Sequence, residues 1–314
     1  MSQAVETTRP EPAAIDLSVI IASYNTRDLL EANLRALFEH PPRCTFEVIV
    51  SDDASSDGSP AMVRERFPEA VLRVNEVNSG YARTNNRAIA MARGRHLYLL
   101  NCDATVKPGA LDRLVEFMDA HPQAGAAGTL IYNEDASIQA SVKALPSIRS
   151  AFVGKRSWVY RWFPDSALVK NELLVTEVTP ETPPFQAGYV SSASIIIPRA
   201  VADRVGDWDP RLWWFIDADY CKRIHDAGYE VWCVPSAQIV HVEHTGGTVR
   251  GRKRRFWAIY KFHQGAWIYW RQYSGYGLAH PFTWLVGLGL LGRAVLSTVI
   301  QAGKEIAGRG EERY

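Results

Sequence analysis

Apolar and polar positions change period repeatedly along the first hundred residues. The run "LSVIIASYN" (17–25) is short, apolar and β-branched, and predicts a buried strand. "TRDLLEANLRALFEH" follows with Leu30, Leu34, Leu37 and Phe38 at helical spacing. "FEVIVSDDAS" predicts a second strand, "GSPAMVRERF" a short helix and "AVLRVNEV" a third strand. "YARTNNRAIAMAR" then predicts a helix and "HLYLLNCD" a fourth strand. This alternation implies an α/β fold with a mostly parallel sheet covered by helices on both faces. In such sheets ligands bind beyond the carboxyl ends of the strands. That rule selects four places: Tyr24-Asn25, Asp52-Asp53, Asn78-Ser79-Gly80 and Asn101-Cys102-Asp103, each polar where an apolar run stops.

From about 120 to 180 the pattern weakens, mixing aromatic, basic and proline residues, and predicts no regular element; it fits a mobile or substrate-covering segment. Periodicity returns in "YVSSASIIIPRAVADRVGDW", a strand followed by a helix that starts at Pro198. "DADYCKRIHDAGYEVWCVPSAQIVHVEH" reads as helix, Gly228 stop, strand, turn, strand. The stretch after Gly247 is basic and aromatic together, which sets a boundary near residue 248. Three regions result: a flexible leader (1–15), a core (16–248) and a C-terminal helical appendage (249–314). Within the appendage, residues 281–300 approach the length of a membrane span but contain Arg293. A span wants about 20 apolar residues and a central arginine costs a few kcal/mol, so the segment reads as an interfacial or packed helix.

With 314 residues, 47% hydrophobic and 22% charged, the chain has material for a substantial core. Its net charge of +1 gives no global reason to bind nucleic acid. Four cysteines without a CxxC pair read as reduced thiols in a cytosolic setting. The leader lacks the apolar core of a signal peptide.

The first strand–helix turn, "ASYNTRD", has no GxGxxG, and no GxxxxGK[ST] occurs, which argues against dinucleotide oxidoreductases and P-loop enzymes. Asp52 can accept hydrogen bonds from a base or ribose, or cap the turn "SSDGS". Asp103 can hold Mg²⁺ or Mn²⁺ together with substrate phosphates, or cap the helix in "KPGALDRLVEFM". Asp217 and Asp219 can complement a helix dipole, or one can serve as a general base. His241 and His244 lie on a strand-to-loop passage whose glycines allow close approach to a phosphate. Zinc is disfavoured, because no third nitrogen or sulfur ligand has suitable spacing.

In this order the pieces resemble the family 2 glycosyltransferases of the GT-A fold, with its Rossmann-like sheet, and most of all their bacterial rhamnosyltransferase-like branch. The likeness covers roughly residues 16–250. "VSDDASSDGS" is similar to the family's "VDNASTDGS", "NSGYARTNNRAI" to "NxGfaxgnNxgi", and "LLNCDA" to the branch's "LLNPDx". "VGDWDPRLWWFIDADYCKRIHDAGY" resembles "vGgfDexfFxyxEDvDlcxRlxxaGy", and "VHVEHTGGT" the closing histidine-glycine motif.

The resemblance implies that Asp52 binds the nucleotide, and that Asn85 with the Asn78–Gly80 turn lines the nucleotide-sugar pocket near Tyr24 and Asn25. Asp103 binds the metal with Asn101 beside it, Asp217 is the catalytic base, and His244 sits near the diphosphate or metal. Two departures stand out: Ile216 replaces the usual acidic residue before Asp217, and Thr84 replaces a frequent glycine. The implied reaction is a single displacement with inversion, from a nucleotide-sugar donor to a glycan or polyprenyl-linked saccharide in envelope polysaccharide synthesis. The branch points to dTDP-L-rhamnose first and a UDP-sugar second. Trp213 and Trp214 either stack on acceptor sugars or pack in the core.

The cluster "RGRKRRFWAIYKFHQGAWIYWRQY" suits anionic lipid and an interface, so a cytoplasmic enzyme peripheral to the inner face of the membrane is expected. The competing reading is a non-catalytic nucleotide- or glycan-binding protein on the same fold. A processive synthase is disfavoured, since neither QxxRW nor several transmembrane helices are present.

Overall fold

The computed structural model describes residues 15–147, 162, 178–242 and 252–307. The first half follows the predicted alternation: β1 (Leu17–Ser23), α1 (Arg27–Glu39), β2 (Phe46–Asp52), α2 (Ser59–Arg66), β3 (Val71–Val74), α3 (Tyr81–Ile89) and β4 (His96–Leu100). Then come β5 (Ala104–Val106), α4 (Ala110–Ala120), β6 (Ala124–Tyr132), β7 (Val142–Lys143), β8 (Phe185–Gln186) and β9 (Tyr189–Val190). The remainder is β10 (Ser194–Pro198), α5 (Arg199–Val205), α6 (Ile216–Asp226), β11 (Glu230–His241), α7 (Arg252–Tyr273) and α8 (Pro281–Ile306).

The main sheet runs β3-β2-β1-β4-β10-β6-β11-β5, with β8 added beside β11. Strand alternation divides its core in two. Leu17, Val19 and Ile21 of β1 pack with Leu30, Leu34 and Leu37 of α1, while Ile20 faces the opposite layer with Ala82 and Ala88 of α3. Each such buried side chain contributes roughly 1.5–3 kcal/mol relative to exposure.

Two reversed strands build the functional edge. β10 lies antiparallel between β4 and β6, so its first residue, Ser194, pairs with Leu100 at the end of β4. β5 is antiparallel to β11 and pairs Ala104 with His241. Residues 191–194, 101–104 and 241 thereby converge on one rim.

Three expectations need correction. The 120–180 region contains β6, a buried strand written "AGAAGTLIY". Its small residues have low strand propensity, but the space demands them. A Cβ on Gly128 would lie 2.6 Å from Val190 Cβ, and one on Gly125 would lie 2.6 Å from Ile224 Cγ2. The predicted strand–turn–strand at 230–241 is one 12-residue strand, β11, with a register shift between Val234 and Gln238. Pro235 sits in that irregularity, where a ladder donor is dispensable. Finally, Asp103 does not cap a helix: α4 begins at Ala110 behind Gly109 (φ 73°), and Asp103 leads into β5.

The C-terminal helices form a packed pair. Gly287 of α8 meets the Trp267 ring of α7, and Arg255 of α7 pairs with Glu305 of α8. One side of α8 stays open, exposing Trp284, Leu285, Leu288, Leu291, Val295, Leu296 and Val299. Arg293, which argued against a membrane span, lies off that stripe with its guanidinium 5.5 Å from the Phe262 ring centroid of α7. By length and composition alone α8 is able to cross a membrane. The expected boundary near 248 falls among residues 243–251, outside the described residues, as does most of 148–177.

Candidate active site

The ends of β1 and β2 are tied together by side chains. Asn25 adopts a left-handed backbone (φ 51°), receives Ser56 N on Oδ1 at 2.8 Å, and donates its own N–H to Ser55 Oγ at 2.8 Å. Asp52 is fully buried; its Oδ1 accepts Ser55 N at 2.9 Å while Oδ2 has no partner. One oxygen thus caps the turn, and the other remains an uncommitted acceptor at the strand end. Burial pushes the Asp52 carboxyl up; Ser55 opposes this, and the charges of Asp57 and Asp53 add to it.

Its neighbour Asp53 has a different task. It accepts Asn75 Nδ2 at 3.0 Å, Ser79 Oγ at 2.9 Å and Gly80 N at 2.8 Å, together with Ser79 N. Burial opposes its ionisation, but hydrogen bonds from Ser79 and Gly80 prevail and hold the carboxyl below its usual range. Asp53 therefore fixes the Asn78–Gly80 turn, in which Asn78 is exposed and Gly80 has φ 85°. Asn85 is enclosed in α3 and donates to Tyr81 O at 3.0 Å. Tyr24 is half-buried beside Asn25.

At the end of β4, the loop carrying Asn101 and Asp103 is held from α1. Asn33, buried among leucines, donates to Asn101 O at 2.9 Å and Ala104 O at 2.5 Å. Cys102 turns inward, its Sγ receiving Thr26 Oγ1 at 3.3 Å; burial pushes its thiol up to about 12, so it stays protonated. Asp103 Oδ1 lies 3.1 Å from His241 Nε2, both side chains being nearly buried. Gln139 sets the imidazole. Its Nε2 donates to His241 O at 2.9 Å and Asn133 Oδ1 at 2.7 Å, so its Oε1, 3.1 Å from His241 Nδ1, receives the Nδ1 proton. In that tautomer Nε2 is an acceptor, and it receives Asn101 Nδ2 at 3.3 Å beside the Asp103 carboxylate. Asn101 Oδ1 is buried beside them without a partner.

Asp217 occupies the first turn of α6, with a buried, unpartnered Oδ1. Burial pushes its carboxyl above the usual range, while hydrogen bonds from Ser192 and the charge of Lys143 oppose the shift. Tyr81 stands between Asp217 and the β4 loop: its hydroxyl donates to Ser192 O at 3.1 Å and feels the charges of Asp217 and Asp103. Asn101 N, in turn, donates to Ala193 O at 3.0 Å. The turn 191–194 therefore links the base-like carboxyl to the Asp103–His241 pair.

Asp219 points elsewhere, towards α7. Trp213 packs edge-on against Trp257 at 4.8 Å, and the exposed Trp214 against Phe262 at 6.4 Å. His244 lies outside the described residues. Tyr81, Ser192, Asn33 and Gln139 escaped the sequence reading. Asn33 alone left a signal, as the polar residue on the apolar stripe of α1.

With this geometry in place, the chain can be set beside known proteins. Residues 18–167 match Glycosyl transferase family 2. That stretch of this chain is similar to a family 2 glycosyltransferase domain. An N-acetylglucosaminyl-diphospho-decaprenol L-rhamnosyltransferase of Mycobacterium tuberculosis is 28% identical over 241 residues, spanning 72% of this chain and 75% of the relative. The succinoglycan biosynthesis protein ExoO of Rhizobium meliloti is 34% identical over 107 residues, 33% of this chain and 30% of its own length. Among solved structures, the mannosyltransferase PcManGT from Pyrobaculum calidifontis, in complex with GDP-Man and Mn²⁺, superposes with a TM-score of 0.55 at 21% identity, covering 93% of this chain and 75% of that one. GalNAc-T7 with UDP, GalNAc and Mn²⁺ gives 0.54 at 15% identity, covering 73% of this chain but 44% of its own. The fold of this chain is that of the GT-A glycosyltransferases.

Proposed function

We propose that this glycosyltransferase moves a sugar from a nucleotide-sugar donor to a hydroxyl of a lipid-linked saccharide, inverting the anomeric carbon, with Asp217 as general base. The observation that carries this is the Asp217 carboxylate itself: one oxygen is buried and uncommitted, and burial has made the group more basic. A raised carboxyl is the better proton acceptor for a sugar hydroxyl near neutral pH. Ser192 and Tyr81 adjoin the base, and Asp219 is engaged by α7 on one oxygen and by Arg223 on the other, so among the described residues it is not free to act as nucleophile.

A divalent cation, when bound, supplies positive charge to the departing diphosphate. The residues fit such an ion: the Asp103 carboxylate lies against His241 Nε2, Asn101 adjoins them with its carbonyl unpartnered, and His244 follows in sequence. Among the described residues no three His, Cys, Asp or Glu side chains gather, so diphosphate and water complete the shell. An imidazole ligand favours Mn²⁺ over Mg²⁺. Asp52 Oδ2, with Asn25 and the turn held by Asp53, forms the nucleotide side.

The rhamnosyltransferase relative supports dTDP-L-rhamnose as donor and a polyprenyl-diphospho-N-acetylglucosamine as acceptor; a UDP-sugar is the second choice. The open apolar face of α8, with "RGRKRR" at residues 250–255, supports a place on the inner face of the cytoplasmic membrane. The test presents dTDP-L-rhamnose, Mn²⁺ and this acceptor in anionic vesicles and reads the product linkage by NMR. A rhamnosyl product with inverted configuration is expected. A retained configuration refutes the base mechanism. Failure to transfer from any dTDP- or UDP-sugar, while the nucleotide still raises Tm, marks a binding protein instead.

A further inference from the structure

The two carboxylates of the first turn of α6 are divided between two partners. Asp217 faces Ser192, whereas Asp219 is fully buried and enclosed by donors. Its Oδ1 receives Tyr273 Oη at 2.7 Å and Gln272 Nε2 at 3.2 Å, both from the end of α7. Its Oδ2 receives Arg223 Nε at 3.1 Å and Nη2 at 3.0 Å from the next turn of α6. A buried carboxylate bonded on both oxygens is a rigid joint, because loss of any donor leaves charge uncompensated.

The backbone leading into that turn is strained. Phe215 precedes α6 at φ 68°, a left-handed conformation that a bulky aromatic residue adopts only when its surroundings impose it. The surroundings belong to α7: the Phe215 ring packs on Phe262 at 5.4 Å and Tyr269 at 5.8 Å. Between those contacts stands Gly265, where an added Cβ would lie 2.7 Å from the Trp214 carbonyl oxygen. Glycine is required there for α7 to seat against the chain three residues before Asp217.

The far side of α6 is fixed independently of α7. Trp208 stacks on Tyr220 at 4.0 Å, and Arg223 Nη1 donates to Val205 O at 2.6 Å. Asn86 of α3 in turn grips both the N–H and the carbonyl of Trp208. The body of α6 is thus anchored to α3 and α5, and its first turn to α7.

We infer that α7 is the positioning element for Asp217, acting through the Tyr273–Asp219 bond and the seating of Gly265 against Trp214; this rests on the reading of Asp217 as the base. Tyr273, Gln272 and Gly265 touch no substrate in this role. They hold the turn from which Asp217 reaches the acceptor hydroxyl, so a domain cut before α7 retains the nucleotide edge but loses alignment of the base.

The test uses the full chain with Tyr273→Phe, which deletes only the hydroxyl, and Gly265→Ala, which drives α7 from Trp214; Asp217→Asn is the benchmark. Sub-ångström misplacement of a base costs about 10–100-fold in turnover. Both variants are expected to lose about that much kcat, with donor KM within about twofold of wild type, because the defect is confined to the transition state. The acid limb of the pH–kcat profile should move as well, since the surroundings of Asp217 change. Unchanged kcat in Tyr273→Phe overturns the inference, as does a loss matched by an equal fall in nucleotide-binding protein, which marks a structural role only. If Gly265→Ala fails to fold, Tyr273→Phe still decides. An active Asp217→Asn refutes the base assignment itself, whereas an inactive Asp217→Asn beside fully active α7 variants refutes only the role of α7.

Discussion

Adjacent and near-adjacent carboxylates in this protein have opposite fates, decided by which donors reach them. Asp52 keeps an oxygen without a partner, whereas Asp53 is saturated by the Ser79–Gly80 turn. A residue whose folded carboxyl lies below its unfolded value contributes stability above the unfolded pKa, and loses it as pH falls through the folded one. For Asp53 the sign is that one. Asp53→Asn should therefore cost about 1–3 kcal/mol at pH 7, the worth of bonds to a buried charged acceptor. The gap from wild type should narrow as pH falls below about 4, the unfolded-state value, towards the lower value of the folded carboxyl. Urea melts across pH measure this; a gap that persists unchanged to pH 3 contradicts it. The sequence placed polar residues at strand ends correctly, but could not say which oxygen was spent. Asp217 and Asp219 look alike in "FIDADY", yet a helix turns them roughly 200° apart, so that one meets Ser192 and the other α7. His241 stood beside His244 with no sequence reason to prefer it, and only the β11–β5 register brings it to Asp103.

At the scale of elements, legibility followed hydrophobic contrast. β1, β2 and β4 are β-branched or leucine-rich runs ending in polar residues, and their periods predicted them. β6 was hidden because its alanines and glycines reflect the crowding of Val190, Ile224 and Tyr229, a tertiary fact without local trace. α8 shows the reverse case, in which packing adds what sequence left out. Arg293 lies at Phe262, so the open stripe from Trp284 to Val299 carries no charge. The proposed place of this helix is the interfacial plane, with neighbouring basic residues on anionic headgroups. The double variant Leu288→Glu/Val295→Glu should abolish flotation with vesicles containing anionic lipid while leaving nucleotide-induced stabilisation intact. Flotation equal to wild type would remove α8 as the contact.

Across the whole molecule, β1, β2 and β4 are parallel, so the polar residues that the carboxyl-end rule selected lie together at one end of the sheet. The rest of the site depends on reversal. β10 enters antiparallel, so its beginning rather than its end meets β4, and the turn 191–194 bridges Asn101 to Asp217. No period in the sequence states that direction, which is why Ser192 and Tyr81 were not foreseen. The resulting architecture puts Asp52, the Asp103–His241 pair and Asp217 along one rim, with the turn that carries Asp217 braced by α7. Its central claim is that Asp217 takes the acceptor proton, and Asp217→Asn tests it most directly when turnover and nucleoside diphosphate binding are measured on the same sample. Removal of a general base costs typically 10²–10⁴-fold, so turnover should fall by about that factor with nucleotide affinity unchanged. Turnover within about twofold of wild type would contradict the account.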